Sequence, residues 1–158
     1  MRVSVLASAV VLISASGCGS IQQYQKVEQP VGRELETYVG GVILRIEKQE
    51  SLPNAFGGAD IYGGRRPKGF IELKYLGVTD SGQIKLRVLS TDITTNENWR
   101  RRFGREGSAT SSSDAVDFEH TANTPFEIEG YRVTFLSAGT SKVTYRIVAP
   151  SASRRTVG

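Results

Sequence analysis

Beyond Thr37 apolar and polar residues alternate with a period of two along much of the chain. In VILRIE, Val42, Leu44 and Ile46 fall on one side and Arg45 and Glu47 on the other, as in a strand with one face buried. FIELKYLGV repeats the pattern with Ile71, Leu73 and Tyr75 against Glu72 and Lys74. After the TDSG turn at 79–82, Ile84, Leu86 and Val88 alternate with Lys85 and Arg87. Gly82 can take the left-handed position that closes such a turn, so these two runs read as a hairpin. A second hairpin follows: Tyr131, Val133 and Phe135 alternate with Arg132 and Thr134, and beyond the AGTS turn come Val143, Tyr145 and Ile147. Phe126 and Ile128 in TPFEIEG mark a short strand, and AVDFEH offers another. No amphipathic helix longer than about three turns emerges. The expected fold class is all-β: a small antiparallel sandwich or open barrel of about six to eight strands, spanning residues 34–150.

Composition agrees with that expectation. Val, Ile, Thr, Tyr and Phe are frequent, which favours strands, and 158 residues suit one domain with a modest core. The 20 basic and 16 acidic residues give a net charge of +4, which permits contact with anionic surfaces without demanding nucleic acid. One cysteine, Cys18, and one histidine, His120, are too few for a structural zinc site. Neither metal nor cofactor is expected.

The first residues differ in kind from the rest. Met1-Arg2 is a short positive start, VSVLASAVVLI an apolar run, and Ser14-Ala15-Ser16-Gly17 a small-residue approach to Cys18. The run is about half the roughly 20 residues that span a bilayer, and it fits a signal-peptide core with a cleavage site behind it. A sole cysteine cannot close an intramolecular disulfide. This segment resembles the precursors of bacterial lipoproteins, whose lipobox ends in two small residues and cysteine, normally with Leu three positions earlier, where this chain has Ala15. The resemblance covers about 20 residues and implies nothing about the domain behind them. It implies a signal peptide at 1–17, cleaved before Cys18, a diacylglyceryl thioether on that sulfur, and acylation (palmitate or similar) of the new amino group. Two or three chains hold a protein at a membrane, at about 0.8 kcal/mol per buried methylene. Gly19 in place of Asp resembles the outer-membrane sorting pattern. The expected location is the cell envelope, at the outer membrane facing the periplasm, where no nucleic-acid partner is expected. Residues 18–33, polar, Gln-rich and carrying Pro30 and Gly32, read as a flexible tether, with an edge strand around Tyr24–Val27 as the alternative. The tail 151–158 and part of the Ser-rich GSATSSSD stretch read as disordered.

Three groups of residues are candidates for function. The Gly- and Pro-rich loop at 51–68 is longer than a turn needs and carries Phe56, Asp60, Tyr62, Arg65 and Arg66. Aromatic faces beside charges on an adaptable backbone suit a peptide, a sugar or a protein. Gly64-Arg65 replaces the Lys and Ser/Thr of a phosphate-binding loop, so that chemistry is excluded. The second group, Trp99, Arg100, Arg101, Arg102 and Phe103, can stack on sugars or grip anionic groups. Both groups also have a purely structural explanation, as tight turns and a solvated strand end. The third is His120 beside Glu119, near Asp114 and Asp117. No Gly-x-Ser-x-Gly elbow accompanies it, so hydrolysis would require Asp60, Glu119 or His120 to converge in a pocket. The expectation is a non-enzymatic, membrane-anchored domain that binds an envelope protein. The alternative is recognition of cell-wall glycan, or inhibition of a lytic enzyme by the glycine-rich loop.

Overall fold

The computed structural model describes residues 20–54, 58–59, 63–95 and 109–150. The expected signal peptide, Cys18, the tail 151–158 and the candidates Phe56, Asp60, Tyr62, Trp99, Arg100, Arg101, Arg102 and Phe103 lie outside the described residues. Among the described residues there are nine strands and no helix: β1 (Gln23–Val27), β2 (Glu34–Tyr38), β3 (Val42–Ser51), β4 (Arg65–Val78), β5 (Ile84–Thr95), β6 (Ala109–His120), β7 (Phe126–Ile128), β8 (Tyr131–Ala138) and β9 (Lys142–Val148). They form a five-stranded sheet in the order β1-β3-β4-β5-β6 and a four-stranded sheet in the order β2-β9-β8-β7. Every neighbouring pair is antiparallel, and the sheets pack as an open sandwich, the expected fold class.

Alternation builds the core. Leu44, Ile46, Leu73, Tyr75, Ile84 and Leu86 from the first sheet meet Val133, Phe135, Val143, Tyr145 and Ile147 from the second. Both expected hairpins are present. The β4–β5 turn closes with the Gly82 N–H donating to Thr79 O at 3.0 Å, and Gly82 has φ +81°. Tyr75, fully buried, joins the sheets through three bonds. Its hydroxyl donates to Gly139 O, its N–H donates to Gly41 O, and its carbonyl accepts from the Gly40 N–H. At the other end of the second sheet the β7–β8 turn has φ +50° at Glu129 and +81° at Gly130, the positive pair a two-residue hairpin uses. The Glu129 carboxylate accepts from Lys48 Nζ at 2.8 Å and Gln25 Nε2 at 3.2 Å, tying the turn to β3 and β1.

Four features differ from the sequence-based expectations. Residues 23–27 are not tether but edge strand β1, the alternative reading of Tyr24–Val27, paired with β3 from Gln23↔Glu50 to Val27↔Ile46; the polar composition favoured a tether because Tyr24 and Val27 face opposite sides of the sheet. The described part of the Ser-rich stretch is strand too: β6 begins at Ala109 and runs in unbroken register with β5 for its whole length. A register shift between Val42 and Leu44 turns Ile43 inward as well as Leu44, both essentially inaccessible. Finally, Glu72 lies on the outer face yet is only 6% exposed, because Arg45 and Lys74 fold over it in ion pairs of 2.5 and 3.3 Å, with the Arg45 guanidinium also 4.0 Å from the Phe70 ring centre.

Candidate functional site

Strand directions place the described strand ends that flank the first two candidate groups at one end of the five-stranded sheet. β3 runs toward that end and stops at Ser51; β4 starts back from it at Arg65, in register with Ser51. β5 runs to it and stops at Thr95, paired with Ala109 at the start of β6. The loop at 52–64 and the connection 96–108 are therefore rooted at the same end of the sheet, on the neighbouring strand pairs β3/β4 and β5/β6, whose midpoints are two inter-strand spacings, about 10 Å, apart. β1 also starts here, since Gln23 pairs with Glu50. The chain is pinned one residue earlier: the Ser51 N–H donates to Gln22 O at 2.9 Å and the Gln22 N–H to Ser51 Oγ at 3.3 Å. The described chain thus enters, at residues 20–22, at the end where β3 and β5 stop and β4 and β6 start.

This end overhangs the second sheet. β4, β5 and β6 have 14, 12 and 12 residues, whereas β2, β7, β8 and β9 have 5, 3, 8 and 7. On the side of the overhang that continues the core, Glu50 follows Ile46 and Lys48 at alternate positions of β3. Its carboxylate, 6% exposed, accepts from Arg66 and lies 3.7 Å from Lys68 Nζ. On the opposite side the Arg65 guanidinium covers the Tyr24 ring at 3.9 Å from its centre, a cation–π contact that ties β1 to β4 across β3. A second register shift, between Lys48 and Gln49, lets Lys68 bulge from β4, while Arg65 and Arg66, consecutive on the strand, point to opposite sides. The base of the 52–64 loop is ordered by main-chain bonds and one side chain: Pro53 bridges Ala59, the Leu52 N–H donates to Gly64 O at 2.8 Å, and the Asn54 side-chain Oδ1 accepts from the Gly58 N–H at 2.9 Å. That base is a structural turn. The structure assembles Arg65 and Arg66 with Tyr24, Glu50 and Lys68, which sequence reasoning passed over. Tyr24 was masked by the tether composition. Glu50 was recoverable only by extending the Ile46 alternation two steps further. Removing the carboxylate in Glu50→Ala leaves Arg66 without that charge partner, and an expected loss of about 2 kcal/mol should appear in urea unfolding, moderated because the Arg66 side chain is 20% exposed.

The third candidate group does not converge. Glu119 and His120 are consecutive on β6 and point to opposite faces. His120 packs against Phe126 and Phe135, ring centres 5.5 and 5.7 Å away, with Nε2 2.6 Å from Thr124 O. Asp117 is held by Arg87 in a two-armed pair at 2.6 and 2.7 Å, which lowers its carboxyl pKa through the Arg87 hydrogen bonds. Asp114 stands six residues up the strand from His120, about 20 Å away. Among the described residues no three His, Cys, Asp or Glu side chains cluster as metal ligands, and no helix is long and apolar enough to cross a membrane.

Compared with protein-family models, with curated proteins and with solved structures, the chain matches none of them.

Proposed function

We propose that this is a lipid-anchored domain of the bacterial cell envelope that works by binding a protein rather than by catalysis. Cys18 is the anchor, and the contact is strand addition along the open edge of β6. The observation that carries the partner is that edge. Three of the four sheet edges are short or charged: β1 and β2 have five residues each, with Lys26, Glu34 and Glu36 along them, and β7 has three. Short and charged edges are how sheets avoid unwanted pairing. β6, unpaired on its outer side among the described residues, has twelve residues without proline, glycine, lysine or register shift; its acids, Asp114, Asp117 and Glu119, fall in the second half, so Ala109–Ser113 is an uncharged stretch, and the side chains from Ala109 to Asp117 are exposed. Val116, 61% exposed, stands beside that edge on the core-facing side. An extended protein segment supplies the main-chain donors and acceptors such an edge lacks, and one apolar side chain to cover Val116.

The test uses two adjacent prolines. Consecutive N–H groups of an antiparallel strand point to opposite sides, so one of Ser111→Pro and Ser112→Pro removes a bond to β5 and the other blunts only the outer edge. The first should lower the melting temperature. The second should leave it near the parent value while abolishing in-cell crosslinks from a photoreactive residue at position 116. Crosslinks that survive the edge-blunting proline refute strand addition.

A further inference from the structure

The geometry points to a second contact of the same domain: we propose that the overhanging rim of the five-stranded sheet docks on anionic lipid headgroups of the bilayer in which Cys18 is anchored. This rests on the reading of Cys18 as the lipidated residue.

Linker length carries the first half of the argument. The main chain is fixed to Ser51 from Gln22 onward, so four residue steps separate Cys18 from the sheet. Fully extended they reach about 14 Å. A sixteen-residue tether would have let the domain turn freely; a four-residue one keeps the start of the sheet within about 14 Å of the anchor, less than two Debye lengths of about 8 Å at physiological salt. The described rim at this end, Arg65 to Lys68 with Gln22 and Ser51, therefore faces the membrane that holds the chain, not a distant layer of the envelope.

Charge carries the other half. In the outermost rows of the described sheet, Arg65, Arg66 and Lys68 stand against the single carboxylate of Glu50. The acids on the neighbouring strands lie deeper: Asp92 is in register with Gly69, and Asp114 with Ser90. Arg65 lies flat on Tyr24, and Lys68, 44% exposed, stands 3.7 Å from the one buried carboxylate, that of Glu50, which it shares with Arg66, so three cations face a single acid and the rim keeps a net positive charge. Headgroup phosphates are the anions a basic rim at this height meets first, and attraction to them fades over a Debye length. β6 then runs roughly along the membrane normal, leaving its edge open sideways to a neighbouring protein.

The lipidated protein is reconstituted in vesicles of phosphatidylcholine alone, and of phosphatidylcholine and phosphatidylglycerol in equal parts. Two single-cysteine variants report the two ends: Ala109→Cys at the rim and Ser81→Cys in the β4–β5 turn, each treated with a bulky hydrophilic maleimide. A thioether at Cys18 does not react, so labelling of the parent chain would show that the anchor is missing and the proposal falls with it. With the anchor present, position 109 should label several-fold more slowly than position 81 on the anionic vesicles. That difference should shrink in high salt, on neutral vesicles, and in a background of Arg65→Gln with Lys68→Gln. Equal rates at the two positions on anionic vesicles would overturn headgroup docking while leaving the anchor intact. Protection that is the same on neutral vesicles would overturn it too, by showing that linker length alone shields the rim.

Discussion

Replacing Tyr75 by Ala should remove about 3–5 kcal/mol of stability, a large share of the 5–15 kcal/mol a domain of this kind possesses. The side chain is fully buried at the centre of the core, so truncation leaves a cavity walled by both sheets. Tyr75→Phe separates the two contributions. It keeps the ring and strands only the Gly139 carbonyl, whose hydrogen bond from the hydroxyl ties the β8–β9 turn to β4; the loss should be about 1–3 kcal/mol. Urea unfolding of both variants checks the order. Burial also raises the Tyr75 pKa above its ordinary 10.0, as it does for Tyr145. A raised folded-state pKa means the folded chain keeps its proton longer than the unfolded one. The associated stability is complete below pH about 10 and declines as pH climbs from there through the folded pKa. The urea midpoint should therefore fall in that window, less steeply in Tyr75→Phe.

Gly69→Val should destabilise the fold by about 3 kcal/mol or more, and it should do so through backbone rather than core. Gly69 has φ +145°, and a Cβ there would sit 2.0 Å from the Thr91 carbonyl oxygen, inside the β4–β5 ladder that Gly69 shares with Asp92. No side chain can move to relieve that contact. Gly82 supplies the comparison: its φ is +81° but a Cβ would meet nothing within 4 Å, so Gly82→Ala should lose only about 1–2 kcal/mol from conformation. Thermal melts of the two variants should differ widely. Because Gly69 adjoins the bulge at Lys68, a folded variant with relaxed geometry here would also change how Arg65 meets Tyr24.

The parts of this fold that could be read in the sequence share one property: their two faces differ chemically. Ile71, Leu73 and Tyr75, or Val143, Tyr145 and Ile147, alternate with charged or hydroxyl residues because one side packs and the other is wet. β6 fails that test over Ala109–Ser113, where small residues, most of them polar, face solvent on both sides and the strand is held by the ladder to β5 and a Thr91–Ser113 hydroxyl bond of 2.8 Å. β1 fails it because its apolar residues fall on opposite faces. Ile43 is invisible to strict alternation, since a bulge sets it inward. The candidate site was legible as two separate groups of residues; that the strand ends flanking them share one end with residues 20–22 follows from strand directions, which no local pattern contains. Tyr24 and Glu50 belong to that end through the pairings Tyr24↔Gln49 and Gln23↔Glu50, 25 and 27 residues apart along the chain.

The account depends most on the sulfur of Cys18, and intact-mass measurement of the protein isolated from its native membrane tests it most directly. The expected chain begins at Cys18, lacks residues 1–17, and carries the added mass of a diacylglyceryl group and an amide-linked acyl chain. A bare thiol at that position, or a chain that still carries its first 17 residues, would contradict it.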